Sequence, residues 1–170
     1  RVGVVMPHGV LFCGSSEAAI RQHLIENDML EAVIGLAPNL FYGTTIPACL
    51  LFFRATKDEA RQKHVLFVDG SKRFTRGKNQ NELSPSDVQD LYDTYITAGA
   101  EEKTDIVARL VSHEEIAGNK YDLNIGRYLK TVAAEVVDVA SALASLEEAR
   151  TNLATSEKAM VERLKAAGYA

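Results

Sequence analysis

Residues 30–54 constrain the fold of this chain more than any other segment. They read LEAVIGLAPNLFYGTTIPACLLFFR, which is two apolar runs separated by one loop. Each run has the length of a strand and is rich in β-branched and large apolar residues, which is typical of strands covered on both faces. We therefore expect two buried strands, at residues 32–36 and 48–53. Because no helix joins them, they should form an antiparallel hairpin.

The loop between these strands, residues 37–47, is the first candidate functional element. It contains two prolines, one glycine and an adjacent aromatic pair, Phe41 and Tyr42. A loop of this length between two buried strands is more often functional than connective. With Gly43 and Thr44 beside it, the aromatic pair would offer a surface on which a flat ring could stack. The alternative is hydrophobic packing of the loop itself.

A strand and a helix are predicted before the hairpin. Residues 2–6 form an apolar run of strand length, and Ser15 or Ser16 can cap a helix that ends near Asn27. The predicted apolar face of that helix consists of Ala19, Ile20, Leu24 and Ile25. A helix between two strands makes a crossover connection, so the first two strands should run parallel. Parallel strands closed by one antiparallel strand are typical of the end of a doubly wound sheet. Because the chain opens inside an apolar run, we expect it to be the continuation of a longer polypeptide.

A more mixed α/β region is predicted after residue 56. Strands are expected at residues 64–68 and 106–111, and a short helix capped by Ser112 follows the second of them. Between these strands, Ser84 and Pro85 begin a helix with proline in its first turn. The residues expected to point inward from this helix are Val88, Leu91, Tyr92 and Tyr95.

The polar loop before that helix contains a basic run, SKRFTRGK, at residues 71–78. It carries four basic residues and no acidic one, and the amides of Asn79 and Asn81 follow directly. Basic side chains can contact a phosphate backbone, and amides suit hydrogen bonds to phosphates or base edges. The candidate contacts to a DNA backbone are Lys72, Arg73, Arg76, Lys78, Asn79 and Asn81. The alternative is a solvated loop without a partner.

The last forty residues have the strongest periodicity of the chain. From Leu129 to Leu164, mostly apolar side chains recur at alternating steps of three and four, which indicates a heptad helix of about five repeats. Arg150 and Glu157 interrupt this apolar seam. Such a helix either packs on its own domain or joins another protein, and its length favours a protein–protein interface. The predicted interface residues are Val136, Val139, Leu143, Leu146, Leu153, Met160 and Leu164.

Composition excludes several classes of function. No apolar stretch approaches the ~20 residues of a membrane span, and two cysteines, Cys13 and Cys49, fit a reducing, cytoplasmic compartment. The formal net charge of −4 argues against nucleic-acid binding by bulk charge, so any DNA contact must be local. The histidines lack metal-ligand spacing, so no metal site is expected. His8 and Cys13 lack the further groups of a thiol nucleophile, so catalysis there is not expected.

Four segments resemble, in order and spacing, the C-terminal part of the methylation subunit of type I restriction–modification systems. They read VGVVMPHGVLF, LEAVIGLAPNLFYGTTIPACLLFFR, VLFVDGSKRF followed by GKNQN, and YDLNIGRYL. The resemblance covers residues 1–130. It implies an α/β fold with the last strands of a Rossmann-like class I methyltransferase sheet, ending in an antiparallel hairpin. The implied organisation is this sheet at residues 1–56, a mixed α/β tail at 57–128 and a long assembly helix at 129–168.

The resemblance also implies a function. Members of this family resemble adenine-N6 DNA methyltransferases that use S-adenosylmethionine. Their implied partners are DNA, a specificity subunit, a second methylation subunit and a motor-nuclease subunit. The family's Gly-rich cofactor turn and Asn-Pro-Pro-aromatic segment do not occur in this sequence. We therefore expect neither a catalytic residue nor bound cofactor within this chain, only in the complete enzyme.

Within this chain, the resemblance implies that the 37–47 loop faces the target base. The residues concerned are Asn39, Phe41, Tyr42, Gly43 and Thr44. Cys13 stands where relatives are expected to have a basic residue, which argues against a DNA contact from the turn at residues 7–14. The competing hypothesis is a non-enzymatic α/β module whose long helix recruits partner proteins.

Overall fold

The computed structural model describes residues 1–100, 105–129 and 139–169, with the backbone alone for residues 139–145. The chain divides into two compact units, residues 1–130 and 131–170. The elements of the first unit are, in order, β1 (Val2–Pro7), α1 (Ser16–Glu26), β2 (Leu30–Gly35), β3 (Ala48–Phe53), β4 (His64–Asp69), β5 (Thr75–Arg76), β6 (Asn81–Glu82), α2 (Pro85–Ile96), β7 (Val107–Ser112), α3 (His113–Gly118) and α4 (Ile125–Tyr128). In the second unit, α5 spans Val139–Ala166.

A five-stranded mixed sheet with the order β1-β3-β2-β4-β7 organises the first unit. Strands β2 and β3 form the predicted antiparallel hairpin, and β3 also pairs antiparallel with β1. Strands β1 and β2 therefore run in the same direction, as the crossover helix predicts, with β3 inserted between them. Strand β2 is parallel to β4, which pairs antiparallel with β7.

Both faces of the sheet are covered at its centre. On one face, Val33 and Phe67 pack with side chains from α1, α3 and α4, including Ile25 and Ile116. On the other face, side chains of β2 and β4 pack against Leu91 and Tyr95 of α2. Every residue of β2 is buried, including Glu31, the one charged residue in its otherwise apolar run.

Helix α2 begins as predicted but buries fewer side chains than expected. The Ser84 side chain accepts a hydrogen bond from the Asp87 N–H, and Asp87 accepts one from the Ser84 N–H. Hydrogen bonds from Ser84 lower the pKa of Asp87. Leu91 and Tyr95 are buried, whereas the prediction for Val88 and Tyr92 was wrong, because both are exposed. They flank an apolar groove that also includes Phe41, and no described residue covers it.

Helix α1 buries a different set of side chains from the one predicted. Ala19 and Ile20 were predicted to point inward, but both are exposed, whereas Arg21 is buried. The Arg21 guanidinium donates hydrogen bonds to the carbonyl oxygens of Tyr121, at 2.9 Å, and Val10, at 3.0 Å. Its burial is tolerated because these two carbonyl groups replace water around the charge. The helix also lacks a serine side-chain cap, since Ser15 has a positive φ of 58°.

A buried carboxylate joins α2 to the sheet. Glu31 of β2 is only 1% exposed. It accepts hydrogen bonds from the Tyr95 hydroxyl at 2.8 Å and from Nη1 of Arg54 at 3.0 Å, and Nη1 of Arg61 lies 3.5 Å away. Burial, together with the hydrogen bond to Glu31, raises the pKa of the Tyr95 hydroxyl. The cluster therefore fixes the C-terminal half of α2 through charge-assisted hydrogen bonds.

A second buried charge lies in another part of the unit. The Lys57 side chain is wholly buried, with Nζ 2.6 Å from Oδ1 of Asp28 and 2.7 Å from the His64 carbonyl oxygen. Burial lowers the pKa of Lys57 and also that of His113. Nε2 of His113 lies 3.3 Å from Oδ1 of Asp28. These contacts connect the turn after α1 with the segment before β4 and the start of α3.

The second unit is described as the single helix α5. All of its described side chains, from residue 146 onward, are exposed. Leu129, with which the predicted seam began, follows α4 and is buried in the core of the first unit. No helix among the described residues is long and apolar enough to cross a membrane.

Candidate nucleic-acid interface

The candidate interface lies at one edge of the sheet. Because β1, β2 and β4 run in the same direction, their carboxyl ends meet at this edge. The segments that follow them are a short 3-10 turn at His8–Leu11, the loop at residues 36–47 and a polar segment at residues 70–84. In open α/β sheets, ligands bind outside the carboxyl ends of the strands.

The loop at residues 36–47, hereafter the aromatic loop, is held at its base and turned by two left-handed residues. The Leu36 N–H donates to the Ala48 carbonyl oxygen at 3.0 Å, which closes the base. Asn39 has φ 57° and Gly43 has φ 77°. Asparagine and glycine are the residues that adopt this conformation at the lowest cost. The tip is tightened further, because the Ile46 N–H donates to Oγ1 of Thr44 at 3.1 Å.

The two aromatic side chains of this loop differ in exposure. Tyr42 is 97% exposed, whereas Phe41 is 43% exposed. Phe41 lines an apolar groove beside Val5 and Ile46, so part of its ring packs on the protein. Hydrophobic packing therefore explains the buried part of the Phe41 ring, but it does not explain the position of the exposed Tyr42 side chain.

The polar segment folds into a basic hairpin, residues 71–82, built on β5 and β6. Its turn is closed by a hydrogen bond from the Gly77 N–H to the Gln80 carbonyl oxygen at 3.1 Å. A Cβ on Gly77 would lie 2.3 Å from that oxygen, so only glycine fits. Lys72, Arg76 and Lys78 are exposed on this hairpin. Within the described part of the chain, none of these three cations forms an ion pair.

Arg73, a fourth predicted DNA contact, is engaged within the protein. Its guanidinium forms a close ion pair with Asp90 and lies 3.6 Å from Asp87, both on α2. The Arg73 N–H also donates to the Gly70 carbonyl oxygen at 3.0 Å. Arg73 therefore anchors the base of the hairpin to α2 and is less available to a phosphate than its neighbours.

The structure brings the aromatic loop and the basic hairpin together. The Asn81 N–H donates to the Asn39 carbonyl oxygen at 2.8 Å, and Nδ2 of Asn81 donates to the Pro38 carbonyl oxygen at 2.8 Å. In return, Nδ2 of Asn39 donates to the Asn79 carbonyl oxygen at 3.3 Å. The amides of Asn39 and Asn81 are thus committed to contacts between the two loops. Sequence reasoning missed this role, although an asparagine directly after Pro38 is a signal for a left-handed turn.

His8 and the two cysteines at this edge differ in their surroundings, and Cys13 is exposed. Nε2 of His8 lies 3.1 Å from the Ala48 carbonyl oxygen, to which it can donate. Cys49 is buried, and burial raises the pKa of its thiol to about 11, so it stays protonated at neutral pH. Over residues 1–100, 105–129 and 139–169, no group of His, Cys, Asp and Glu side chains could hold a metal ion.

The predicted interface residues of the second unit are only partly described. Val136 lies outside the described residues, and so do the side chains of Val139 and Leu143. The remaining predicted residues, Leu146, Leu153, Met160 and Leu164, are all exposed on α5. A row of exposed large apolar side chains on one helix is typical of an interaction surface.

The groove at the carboxyl edge of the sheet does not fit S-adenosylmethionine. A cofactor with an amino acid moiety and a ribose needs charged and hydrogen-bonding groups. The groove at the carboxyl edge is lined instead by apolar and uncharged residues such as Val5, Pro7 and Ile46. Asp69, the acidic residue that ends β4, already accepts a hydrogen bond from the Ser71 N–H at 2.9 Å. We therefore assign no residue of this chain to the cofactor.

Comparison with known proteins gives the family. The family model described as N-6 DNA methylase matches residues 1–136. The type I restriction enzyme MjaVII methylase subunit of Methanocaldococcus jannaschii is 32% identical over 87% of this chain and 26% of its own length. The solved methyltransferase subunit of a type I restriction–modification system from Streptococcus thermophilus has a TM-score of 0.67 at 37% identity. That match covers 75% of this chain and 26% of the solved one.

A third match comes from a structural study of complex assembly and conformational transition of the type I restriction–modification system. It has a TM-score of 0.55 at 20% identity and covers 96% of this chain and 35% of the solved one, so the likeness shows the fold alone. The matched family model and these relatives agree. The chain belongs to the N-6 DNA methylase family, and its relatives are methylation subunits of type I restriction–modification systems. It spans about a quarter of the length of the curated relative described above.

Proposed function

We propose that this chain is part of a type I methylation subunit, which transfers a methyl group from S-adenosylmethionine to adenine N6 in DNA. Family membership and the methylase subunits among its relatives support this proposal. Because the chain spans only about a quarter of such a subunit, residues outside it would hold the cofactor. The five-stranded sheet would be the last part of a Rossmann-like sheet, since its parallel strands β2 and β4 are covered by helices on both faces.

The main observation that supports the proposed role of this chain is the exposure of Tyr42. An enzyme that modifies a base must take it out of the stack and hold it against a flat apolar surface. Tyr42 is 97% exposed at the carboxyl edge of the sheet, where such a base would arrive. Stacking on an aromatic ring contributes about 1–3 kcal/mol per base. The base-facing segment is accordingly Asn39, Phe41, Tyr42, Gly43 and Thr44, with Asn39 shaping the loop.

The basic hairpin would contact the DNA backbone near that base. Lys72, Arg76 and Lys78 are exposed and carry no ion pair within the described residues, and Asn79 is exposed between them and the aromatic loop. These contacts are local, as the net charge of −4 requires. Each phosphate contact should add to the salt dependence of DNA binding.

The helix α5 would join the other subunits. Its exposed row of Leu146, Leu153, Met160 and Leu164 follows heptad spacing. The proposed partner at this seam is the specificity subunit, with a second methylation subunit and a motor-nuclease subunit in the complete enzyme.

A non-enzymatic assembly module is the second candidate, and the exposed seam of α5 favours it as a description of the second unit. An assembly module would use the same seam but would have no use for Tyr42 or the exposed cations. The two candidates therefore predict different outcomes for DNA: only the methyltransferase would leave methylated adenine.

Single-molecule sequencing of DNA tests the proposed function. Genomic DNA is taken from a methylation-deficient host that expresses the complete polypeptide with its specificity subunit. We expect N6-methyladenine at nearly every copy of one recurring sequence, and none when the specificity subunit is omitted. DNA without N6-methyladenine, despite an assembled complex, would instead identify a non-enzymatic module.

A further inference from the structure

Asn81 differs from the other polar residues of the basic hairpin in where its hydrogen bonds go. Both its backbone N–H and its side-chain Nδ2 donate across to the aromatic loop, to the carbonyl oxygens of Asn39 and Pro38, each at 2.8 Å. The backbone N–H and one of the two Nδ2 hydrogens are therefore used within the protein. A residue that donates two hydrogen bonds to one neighbouring loop fixes the distance and the angle between its own segment and that loop.

The connection is made from both sides. Nδ2 of Asn39 donates back to the Asn79 carbonyl oxygen at 3.3 Å, and Asn39 adopts φ 57° to present both its carbonyl and its side chain to the hairpin. Among the described residues, these three are the hydrogen bonds that join the aromatic loop to the basic hairpin. Tyr42 follows only three residues after Asn39. Its position therefore depends on this connection.

The same short hairpin carries the exposed cations. Arg76 pairs directly with Asn81 across the two-residue ladder of β5 and β6, and Lys78 lies in the turn that joins these strands. The hairpin cannot slide freely, because Arg73 holds its base on Asp87 and Asp90 of α2. A phosphate bound by Arg76 or Lys78 is thus placed at a fixed position relative to Tyr42.

We propose that Asn81 is a positioning residue that links phosphate binding by the basic hairpin to the placement of Tyr42 against the extruded base. The inference rests on the proposed function and deepens it. The ligand is the sugar–phosphate backbone near the target nucleotide. Asn81 acts through the Pro38–Asn39 peptide and does not itself touch DNA.

The test uses the complete polypeptide with its specificity subunit and a duplex that carries its methylation sequence. Asn81→Ala removes the side-chain donor without adding charge. Gln80→Ala is the matched control, because it removes an amide from the same turn while keeping the Gln80 carbonyl that closes it. Lys78→Gln removes a phosphate contact and leaves the loop connection intact. For each variant, we measure kcat and KM for DNA, and the fluorescence of 2-aminopurine at the target position.

The three variants should differ in which of the measured quantities change. For Asn81→Ala, we expect kcat to fall about tenfold, since small misplacements at a reacting centre have effects of this size, with DNA affinity within about threefold of wild type and an altered 2-aminopurine signal. For Lys78→Gln, we expect weaker DNA binding with a smaller salt dependence, by about one counterion, and exchange of the aromatic-loop amides as in wild type, because its substitution leaves the hydrogen bonds of Asn81 in place. Gln80→Ala should match wild type in all three measurements.

A second measurement addresses the connection itself. Hydrogen exchange of the amides at residues 39–44 should be faster in Asn81→Ala than in Gln80→Ala in the absence of DNA. If Asn81→Ala has the kcat, the 2-aminopurine fluorescence and the exchange rates of the wild type, the positioning role of Asn81 is overturned. The proposed function would be unaffected by that result. A wild-type complex that methylates no DNA would instead refute the proposed function on which this role rests.

Discussion

Replacing Glu31 with alanine is expected to lower the free energy of unfolding of this chain by about 3–5 kcal/mol. The substitution removes a carboxylate that is 1% exposed, leaves the Tyr95 hydroxyl without its acceptor and removes the carboxylate partner of Arg54 and Arg61. Breaking one side of a buried ion pair is costly because the remaining charge stays desolvated. Small domains have total stabilities of about 5–15 kcal/mol, so this change is a large fraction of the whole.

Urea denaturation followed by circular dichroism measures this effect. Glu31→Gln keeps an acceptor for the Tyr95 hydroxyl and should be less destabilising than Glu31→Ala. Glu59→Ala, at an exposed carboxylate, should stay within about 0.5 kcal/mol of wild type. If Glu31→Ala unfolds within about 1 kcal/mol of wild type, the cluster around Glu31 does not hold α2 on the sheet.

The double variant Leu146→Asp and Leu153→Asp is expected to abolish assembly with the specificity subunit. Both side chains are exposed on α5, so the variant has no reason to unfold the first unit. In an interface, the same two positions would bury unpaired carboxylates where apolar contacts had formed, which is strongly unfavourable. We expect the apparent Kd to rise about a thousandfold, since two hot-spot residues of about 2 kcal/mol each are replaced.

The matched control places the same two charges on the opposite face of the same helix. Thr151 and Thr155 are exposed, and each side chain bonds only to the preceding helical turn within the described residues. Thr151→Asp with Thr155→Asp should therefore assemble normally. Light scattering of the mixed subunits reports the mass of each complex. A complex of full mass from the Leu146 and Leu153 variant would mean that the seam is not the interface.

The fold was predictable from the sequence where local signals determine it. The strand at residues 48–53 and its hairpin with β2 follow from apolar runs with a helix-free connection, and the start of α2 follows from Ser84 and Pro85. Long-range partners could not be predicted. Arg21 is buried because it bonds to the carbonyl oxygen of Tyr121, one hundred residues away. Glu31 is buried because Tyr95 and two arginines surround it.

The candidate site was predictable as separate parts but not as one arrangement. Composition and loop length indicated the aromatic loop and the basic run, and the structure places the two side by side. The sequence could not show that Asn39 and Asn81 bond to each other's loops, because an amide near basic residues also suits DNA. Nor could it show that Arg73 is held by α2, since its acidic partners come 14 and 17 residues later.

The rate of adenine methylation by Tyr42 variants of the complete enzyme tests the central claim most directly. Tyr42→Ala should lower kcat/KM by about 5- to 150-fold, which corresponds to the loss of about 1–3 kcal/mol of stacking. Tyr42→Phe keeps the ring and should stay close to wild type. Because Tyr42 is 97% exposed, neither change should alter the free energy of unfolding. Wild-type rates and wild-type DNA affinity for Tyr42→Ala would contradict the assignment of the aromatic loop to the target base.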